Sequence, residues 1–312
     1  MHNFFRLQYP KAMKQTDLLI IGAGPAGLTA AVYGRRQGFS VIVCESAVPG
    51  GQVALTGAIE NMPGFSEITG SDLALKLNQH ARDLGAVFTS GAERCFADTR
   101  RVQTKDEQWQ AGAIIYAAGC QPRRLGVPGE AQLAGRGVSW CVACDGMFFR
   151  NRPVAVVGGG NSAFGAALSL SRLCSEVYLI HRSDRYRAQR QLIQAAQAQS
   201  NLTLLPHCTV EEILGQTKVE GIRIAGPEGE QVLEIAGIFP AIGMQPHTAP
   251  LQGQLSTDEA GFLLAGEDCR TAYPGFFVAG DVRVKPLRQI VTACADGAVA
   301  AEEAGQYLRS GV

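Results

Sequence analysis

The apolar positions of this chain bunch into short runs that break on glycine. Residues 17–21, Asp-Leu-Leu-Ile-Ile, run into a glycine turn, and residues 39–45 form a second run ending in Glu45. Apolar runs of this length, bounded by turn residues, predict strands buried on both faces. Residues 25–37 lie between them, rich in Ala and Leu, and predict a helix, so the stretch reads as a βαβ unit. The plan recurs with a strand at 153–157, a second glycine turn, a helix at 163–174 and a strand at 177–180. Runs at 113–119 and 237–243 look like the two crossing strands on which the chain passes between domains. Residues 276–281 predict a further buried strand ending in Asp281, and a helix follows over 290–308. This order implies an α/β fold of two Rossmann-like three-layer dinucleotide-binding domains, the second inserted into the first. The expected division is 1–124 with 245–312 for the first dinucleotide-binding domain, and 125–244 for the inserted second one, which carries a CxxC pair.

The two turns carry the first candidate chemistry. One reads Gly22-Ala23-Gly24-Pro25-Ala26-Gly27, the other Gly158-Gly159-Gly160-Asn161-Ser162-Ala163. A glycine turn between a strand and a helix lets the backbone approach a pyrophosphate and aims the first helical N–H groups at it. In the first turn Gly22, Gly24, Pro25 and Ala26 are the candidates. Glu45 closes the following strand, where an acidic side chain accepts from a ribose. In the second turn Gly160, Asn161 and Ser162 are the equivalents, unless that turn survives only as scaffold. The strand after it ends in His181-Arg182 instead of an acid. Positive charge there favours a 2′-phosphate and hence NADPH, with Arg187 as a second contact.

Between the two turns lies Cys141-Val142-Ala143-Cys144-Asp145-Gly146. Thiols so spaced close a small disulfide ring and exchange it with another disulfide. No second pair with metal-ligand spacing accompanies them, so no metal is expected. Cys44, Cys95, Cys120, Cys174, Cys208, Cys269 and Cys294 lie in unrelated contexts and read as buried or incidental free thiols.

Composition narrows the partners. With 28 basic and 28 acidic residues the formal charge is zero, so no nucleic-acid or membrane partner is expected. No apolar run is long enough to span a bilayer, and residues 1–15 lack a signal peptide's apolar core, so the cytoplasm is the expected location.

Over residues 16–308 the chain resembles the low-molecular-weight thioredoxin reductases. The resemblance rests on GAGPAGLTAA (22–31), GGQ (50–52), IENMPG (59–64), AAGCQPRRLGVPGE (117–130), GRGVSWCVACDG (135–146), VVGGGNSA (156–163), HRSDRYRA (181–188) and AGDVRVKPLRQIVTACADGAVAA (279–301). It implies FAD as cofactor, a thioredoxin-like protein or small dithiol as partner, and a homodimer. It places Gly51, Gln52, Asn61, Gly119, Asp281, Arg288, Gln289 and Ile290 about the flavin. It also implies that Cys144 faces the flavin, that Cys141 attacks the substrate disulfide, and that Asp145 handles the proton. Alternating domain orientations, with hinges near 119–129 and 241–246, follow from the resemblance as well.

The chain departs from the family pattern in two places. Ser183 stands where a second arginine is usual, and Gly165-Ala166 where an acidic pair is usual. NADPH remains the first choice of donor. Reduced ferredoxin, a second flavin, or reversed flow in an oxygen-dependent dithiol oxidase remain open, as does a non-catalytic flavin sensor. Phe4, Phe5 and Tyr9 in the N-terminal segment are candidates for packing on a partner subunit, with a disordered tail as the more common outcome for such a segment.

Overall fold

The computed structural model describes residues 13–56 and 58–311. Phe4, Phe5 and Tyr9 therefore lie outside the described residues. The chain divides into two compact units, one made of residues up to Gln121 and from Gln245 on, the other of Pro122–Met244.

The first unit begins with β1 (Met13–Ile21), α1 (Pro25–Arg36) and β2 (Val41–Glu45). Next come the short strands β3 (Ala58–Ile59) and β4 (Ile68–Thr69), the helix α2 (Gly70–Asp83) and β5 (Val87–Ser90). The hairpin strands β6 (Ala92–Phe96) and β7 (Arg101–Thr104) lead into the long β8 (Gln108–Tyr116). Parallel pairing gives the order β5-β2-β1-β8, and β7 and β6 continue the sheet antiparallel.

Alternation along β1 sends Leu18 and Ile20 to one face and Leu19 and Ile21 to the other, and all four are buried. The first face packs on alanine-rich helix surfaces. The second packs on Cys95, Trp109, Leu251, Leu255 and Leu263. A run apolar on every residue is what a strand covered on both sides requires.

The short strand β9 (Cys120–Pro122) leaves the first unit. The second unit holds α3 (Val142–Asp145), β10 (Pro153–Val157), α4 (Asn161–Ser171), β11 (Glu176–His181), α5 (Arg190–Gln197) and β12 (Leu202–Pro206). β13 (Thr209–Leu214), β14 (Gly221–Gly226) and β15 (Gly229–Glu234) form an antiparallel sheet, before β16 (Gly237–Pro240) and β17 (Met244–Pro246). The parallel order is β12-β11-β10-β16. Val154 and Val156 face the helices, while Ala155 and Val157 face the antiparallel sheet.

Back in the first unit, β18 (Phe276–Val278) pairs in parallel with residues 114–116 of β8, and α6 (Ile290–Ser310) closes the chain. In α6 a capping box starts the helix, with Gln289 and Thr292 bonding each other's backbone, and Gly311 ends it at φ 68°.

The expected crossing strands need correction. Residues 113–116 belong to β8, bonded between β1 and β18, and 237–240 form β16, bonded to β10. Each is a core strand of its own sheet. The chain crosses a few residues later, on β9 and β17, which pair with each other. Among the described residues no helix is long and apolar enough to cross a membrane.

Candidate functional site

In the first unit the glycine turn shows three different demands on glycine. Gly22 takes φ +102°, and a Cβ there would lie 2.4 Å from the Ala117 carbonyl oxygen at the end of β8. A Cβ at Gly27 would lie 1.8 Å from the Gly22 carbonyl, so α1 can approach the turn only without a side chain. At Gly24 a Cβ would meet nothing within 4 Å, so this backbone faces open space. Gly24 caps α1 with no side-chain bond to the first turn, and Pro25 starts the helix, leaving its N-terminal N–H groups for a ligand.

Other elements close around this turn. Gly50 N–H donates to the Ala23 carbonyl at 2.7 Å, and a Cβ on Gly51 would touch the Gly24 Cα at 3.3 Å. Gln52 donates to the Cys120 carbonyl, next to Gly119. Asn61 donates to the Gln289 side chain at 3.0 Å, and Ile290 packs on Val53, Ile59, Ile68 and Leu73. A Cβ on Gly280 would lie 2.8 Å from the Ala26 methyl, which brings the 280–282 turn against the start of α1. Arg288 donates to the Asp281 carbonyl at 3.3 Å and stacks over the Phe262 ring at 3.9 Å.

Glu45 is committed locally. Its two oxygens accept from Ala23 N–H at 2.7 Å and Ala47 N–H at 2.8 Å, so it also fastens the glycine turn to β2. Asp281 differs, because its Oδ1 is buried and has no hydrogen-bond partner. Burial pushes its carboxyl above the ordinary range, against the pull of Lys285 and Arg288. An orphaned buried acceptor beside bare backbone and open N–H groups fits a ligand with hydroxyls and a pyrophosphate, which is the make-up of a flavin dinucleotide.

The second unit holds the thiols. Cys141 and Cys144 are joined as a disulfide with Cα atoms 5.3 Å apart. Cys141 caps the four-residue helix α3, and its sulfur accepts from Cys144 N–H at 3.1 Å. Ser139, buried, holds both ends of the motif. It donates to Asp145 Oδ2 at 2.5 Å and accepts from Cys141 N–H at 3.1 Å, while its own N–H donates to the Ile238 carbonyl of β16. Burial pushes the Asp145 carboxyl up, and the Ser139 hydroxyl pulls partly against it. A half-buried carboxyl that burial makes easier to protonate, set beside a disulfide, is a candidate to exchange protons with the thiols.

The second glycine turn resembles the first in part. Gly160 faces open space and caps α4 without a side-chain bond. Asn161 accepts from Gln189 N–H at 2.8 Å and Arg187 N–H donates to the Gly159 carbonyl at 2.8 Å, so residues 187–189 fold back along the turn. Ser162 is exposed on the first turn of α4. The His181 imidazole lies over Gly159, where a Cβ would be 2.4 Å from Nε2. Burial lowers its pKa, with help from Arg182 and Arg187. Ser183 bonds the His181 ring at 3.4 Å and accepts from Arg185 N–H. Arg182, Arg185 and Arg187 are exposed and make no ion pair among the described residues.

Sequence reasoning overlooked two groups of residues. Ser139 carries no signal in the sequence, since a serine six residues before an aspartate matches no period. The second group is Arg283, Lys285 and Asp296, of which Asp296 had a signal: a lone acid within the alanine-rich run 293–301.

Comparison with known proteins agrees with this geometry. The family described as pyridine nucleotide-disulphide oxidoreductase matches residues 16–297. The chain is 41% identical over 298 residues to a thioredoxin reductase of Listeria monocytogenes, covering 94% of this chain and 93% of that one. It is 40% identical over 300 residues to a thioredoxin reductase of Bacillus subtilis, covering 94% of each. Among solved structures, a thioredoxin reductase from Streptococcus pyogenes aligns with a TM-score of 0.90 at 39% identity, over 96% of this chain and 100% of that one. With sequence similarity along nearly the whole length, a matching fold and a CxxC disulfide beside a half-buried aspartate, the chain belongs to the pyridine nucleotide-disulphide oxidoreductases, among the thioredoxin reductases.

Proposed function

We propose that this flavin-dependent disulfide oxidoreductase passes electrons from NADPH through FAD and the Cys141–Cys144 pair to the disulfide of a thioredoxin-like protein. The observation that carries the reading is the Cys141–Cys144 disulfide capped by Ser139 and followed by the half-buried Asp145. When bound, the flavin supplies the two-electron chemistry that joins a hydride donor to a disulfide. In the first unit, the Gly22–Gly24 backbone and the start of α1 hold its pyrophosphate. Glu45 lies toward the ribose, Asp281 accepts from its hydroxyls, and Gly51, Gln52, Asn61, Gly119, Arg288, Gln289 and Ile290 line the rest. In the second unit, Gly160, Asn161, Ser162 and His181 hold the pyridine nucleotide, with Arg182 and Arg187 on its 2′-phosphate.

On the reduced pair, Cys141 attacks the partner disulfide as a thiolate, and the Cys144 N–H that now points at its sulfur favours that charge. A mixed disulfide forms and one partner sulfur leaves as thiolate, taking a proton from Asp145. Cys144 then gives its proton to Asp145 and attacks the Cys141 sulfur. The ring closes again and the second partner sulfur leaves.

The altered loop 181–187 favours a second reading of the donor. Ser183 replaces a cation, and its hydroxyl is occupied by the His181 ring and Arg185 N–H. A ferredoxin or a second flavin then feeds the same flavin. Anaerobic stopped-flow mixing of the holoprotein with NADPH, NADH and reduced ferredoxin in turn decides between them. Flavin bleaching by millimolar NADPH within seconds supports the first reading, and bleaching by ferredoxin alone supports the second. A colourless protein that takes up no FAD sinks both. A homodimer located in the cytoplasm completes the proposal.

A further inference from the structure

A helix interior rich in alanine is a costly place for a buried carboxylate, which forfeits its hydration and ordinarily needs paired partners. Asp296 is such a group: it is 6% exposed, in the second turn of α6. Its partners all come from one short segment. Oδ2 accepts from Gly280 N–H at 2.9 Å, Arg283 Nε at 2.8 Å and Lys285 Nζ at 2.9 Å, and Oδ1 accepts from Arg283 Nη2 at 2.8 Å. Arg283 is itself only 2% exposed. Burial raises the Asp296 carboxyl, yet these bonds outweigh it and hold it below the usual carboxylate range. Arg288 completes the frame by donating to the carbonyls of Asp281 and Arg283, both at 3.3 Å.

The bonds converge on residues 280–285, and within that segment the acceptor left without a partner is Asp281 Oδ1. Asp281 is the residue immediately after the Gly280 N–H that Asp296 grips. We propose that Asp296 is a positioning residue for the flavin: through Gly280, Arg283 and Lys285 it fixes the 280–285 turn so that the Asp281 carboxylate is set, before binding, to accept from the dinucleotide. The inference rests on the flavin reading above. It follows from preorganisation, since a buried acceptor held rigidly spends no binding energy on being ordered.

The test is a double-mutant cycle read as FAD affinity of the full chain, measured by ultrafiltration of the holoprotein. Asp281→Ala, Asp296→Asn and the pair together are compared with the unaltered protein. A residue acting through Asp281 loses its effect once Asp281 is gone. Asp296→Asn is therefore expected to raise the FAD dissociation constant about tenfold or more when Asp281 is present, and about twofold or less in the Asp281→Ala background. Equal losses in both backgrounds, or no loss in either, overturn the assignment and leave Asp296 a purely structural residue. If Asp296→Asn does not fold, as judged by far-ultraviolet circular dichroism, Lys285→Gln removes one bond of the frame and carries the same cycle. Failure of the unaltered protein to bind FAD overturns the flavin reading itself, whereas binding with independent losses overturns only the role of Asp296.

Discussion

A single hydroxyl adjusts the carboxyl beside the thiols, the group proposed above to handle their protons. Because burial raises the Asp145 carboxyl and Ser139 pulls it down, Ser139→Ala moves it further up. The limb of the pH–rate profile that reports Asp145 is expected to shift to higher pH, with turnover at pH 7 falling several-fold. That loss is smaller than the roughly 100-fold expected from removing Asp145 itself. An unshifted limb in steady-state thioredoxin assays refutes the coupling. The variant keeps its fold, since the bond that ties residue 139 to β16 runs from its backbone N–H. Replacing Cys141 or Cys144 with Ser is expected to abolish disulfide reduction while the protein stays yellow, because both thiols belong to the second unit and the Asp281 turn to the first. Turnover surviving in both variants would remove the pair from the pathway. At this scale the sequence spoke through chemistry carried by neighbouring residues: Cys141 and Cys144 announce themselves by spacing, and the family resemblance points to Asp145 beside them. Ser139 and Asp296 act on residues that only folding brings beside them.

Among the elements, the turn before α1 makes the sharpest prediction. Gly27→Ala drives a methyl into the Gly22 carbonyl, so α1 must shift away from β1, costing about 1–3 kcal/mol as overpacking does. Gly24→Ala meets no protein atom, and Gly24 sits at φ −76°, so thermal stability of the flavin-free protein should hardly change. The new methyl instead occupies the open space beside the helix start, and FAD affinity falls. Melting curves and flavin titrations of the two variants separate the effects, and a Gly24→Ala protein with unchanged affinity counts against phosphate binding there. Periodicity found β1, α1, β2, β10, α4, β11 and α6, because each is a run of five residues or more with one pattern, and most of them abut a glycine turn. It misread residues 113–119 and 237–243, since an apolar run ending in glycine looks the same whether it stays in its sheet or leaves it. That choice rests on distant pairing, and the true crossings, β9 and β17, are three residues each and too short to carry a period.

At the scale of the molecule, charge buried in the first unit governs acid stability. The pKa of Asp296 is lower folded than unfolded, so its stabilisation is complete above the ordinary Asp value of about 3.9 and is lost as pH falls through the folded value. Asp145 and Asp281 are raised and act with the opposite sign, favouring the folded state as they protonate on acidification. Asp296→Asn is expected to cost about 3 kcal/mol or more at pH 7 and to flatten the acid side of a melting-temperature profile between about pH 5 and about pH 2, where the carboxylate takes up its proton. Parallel profiles would show that the carboxylate is not the source of acid sensitivity. The remaining cysteines have a consequence of another kind. Six of the seven free thiols are buried, and burial pushes Cys44, Cys120 and Cys269 up to about 12 and Cys174 up to about 11. Cys294, half-exposed, is raised too. A thiol held that far from ionisation reacts slowly with electrophiles and peroxides. Intact mass after brief iodoacetamide treatment should therefore show no label on the oxidised protein and two on the reduced one, with Cys294 a slow third; rapid labelling of the oxidised form contradicts this. An electrophilic inhibitor would then meet a target only while the enzyme is turning over, so poisoning depends on the flow of reducing power and idle molecules escape it.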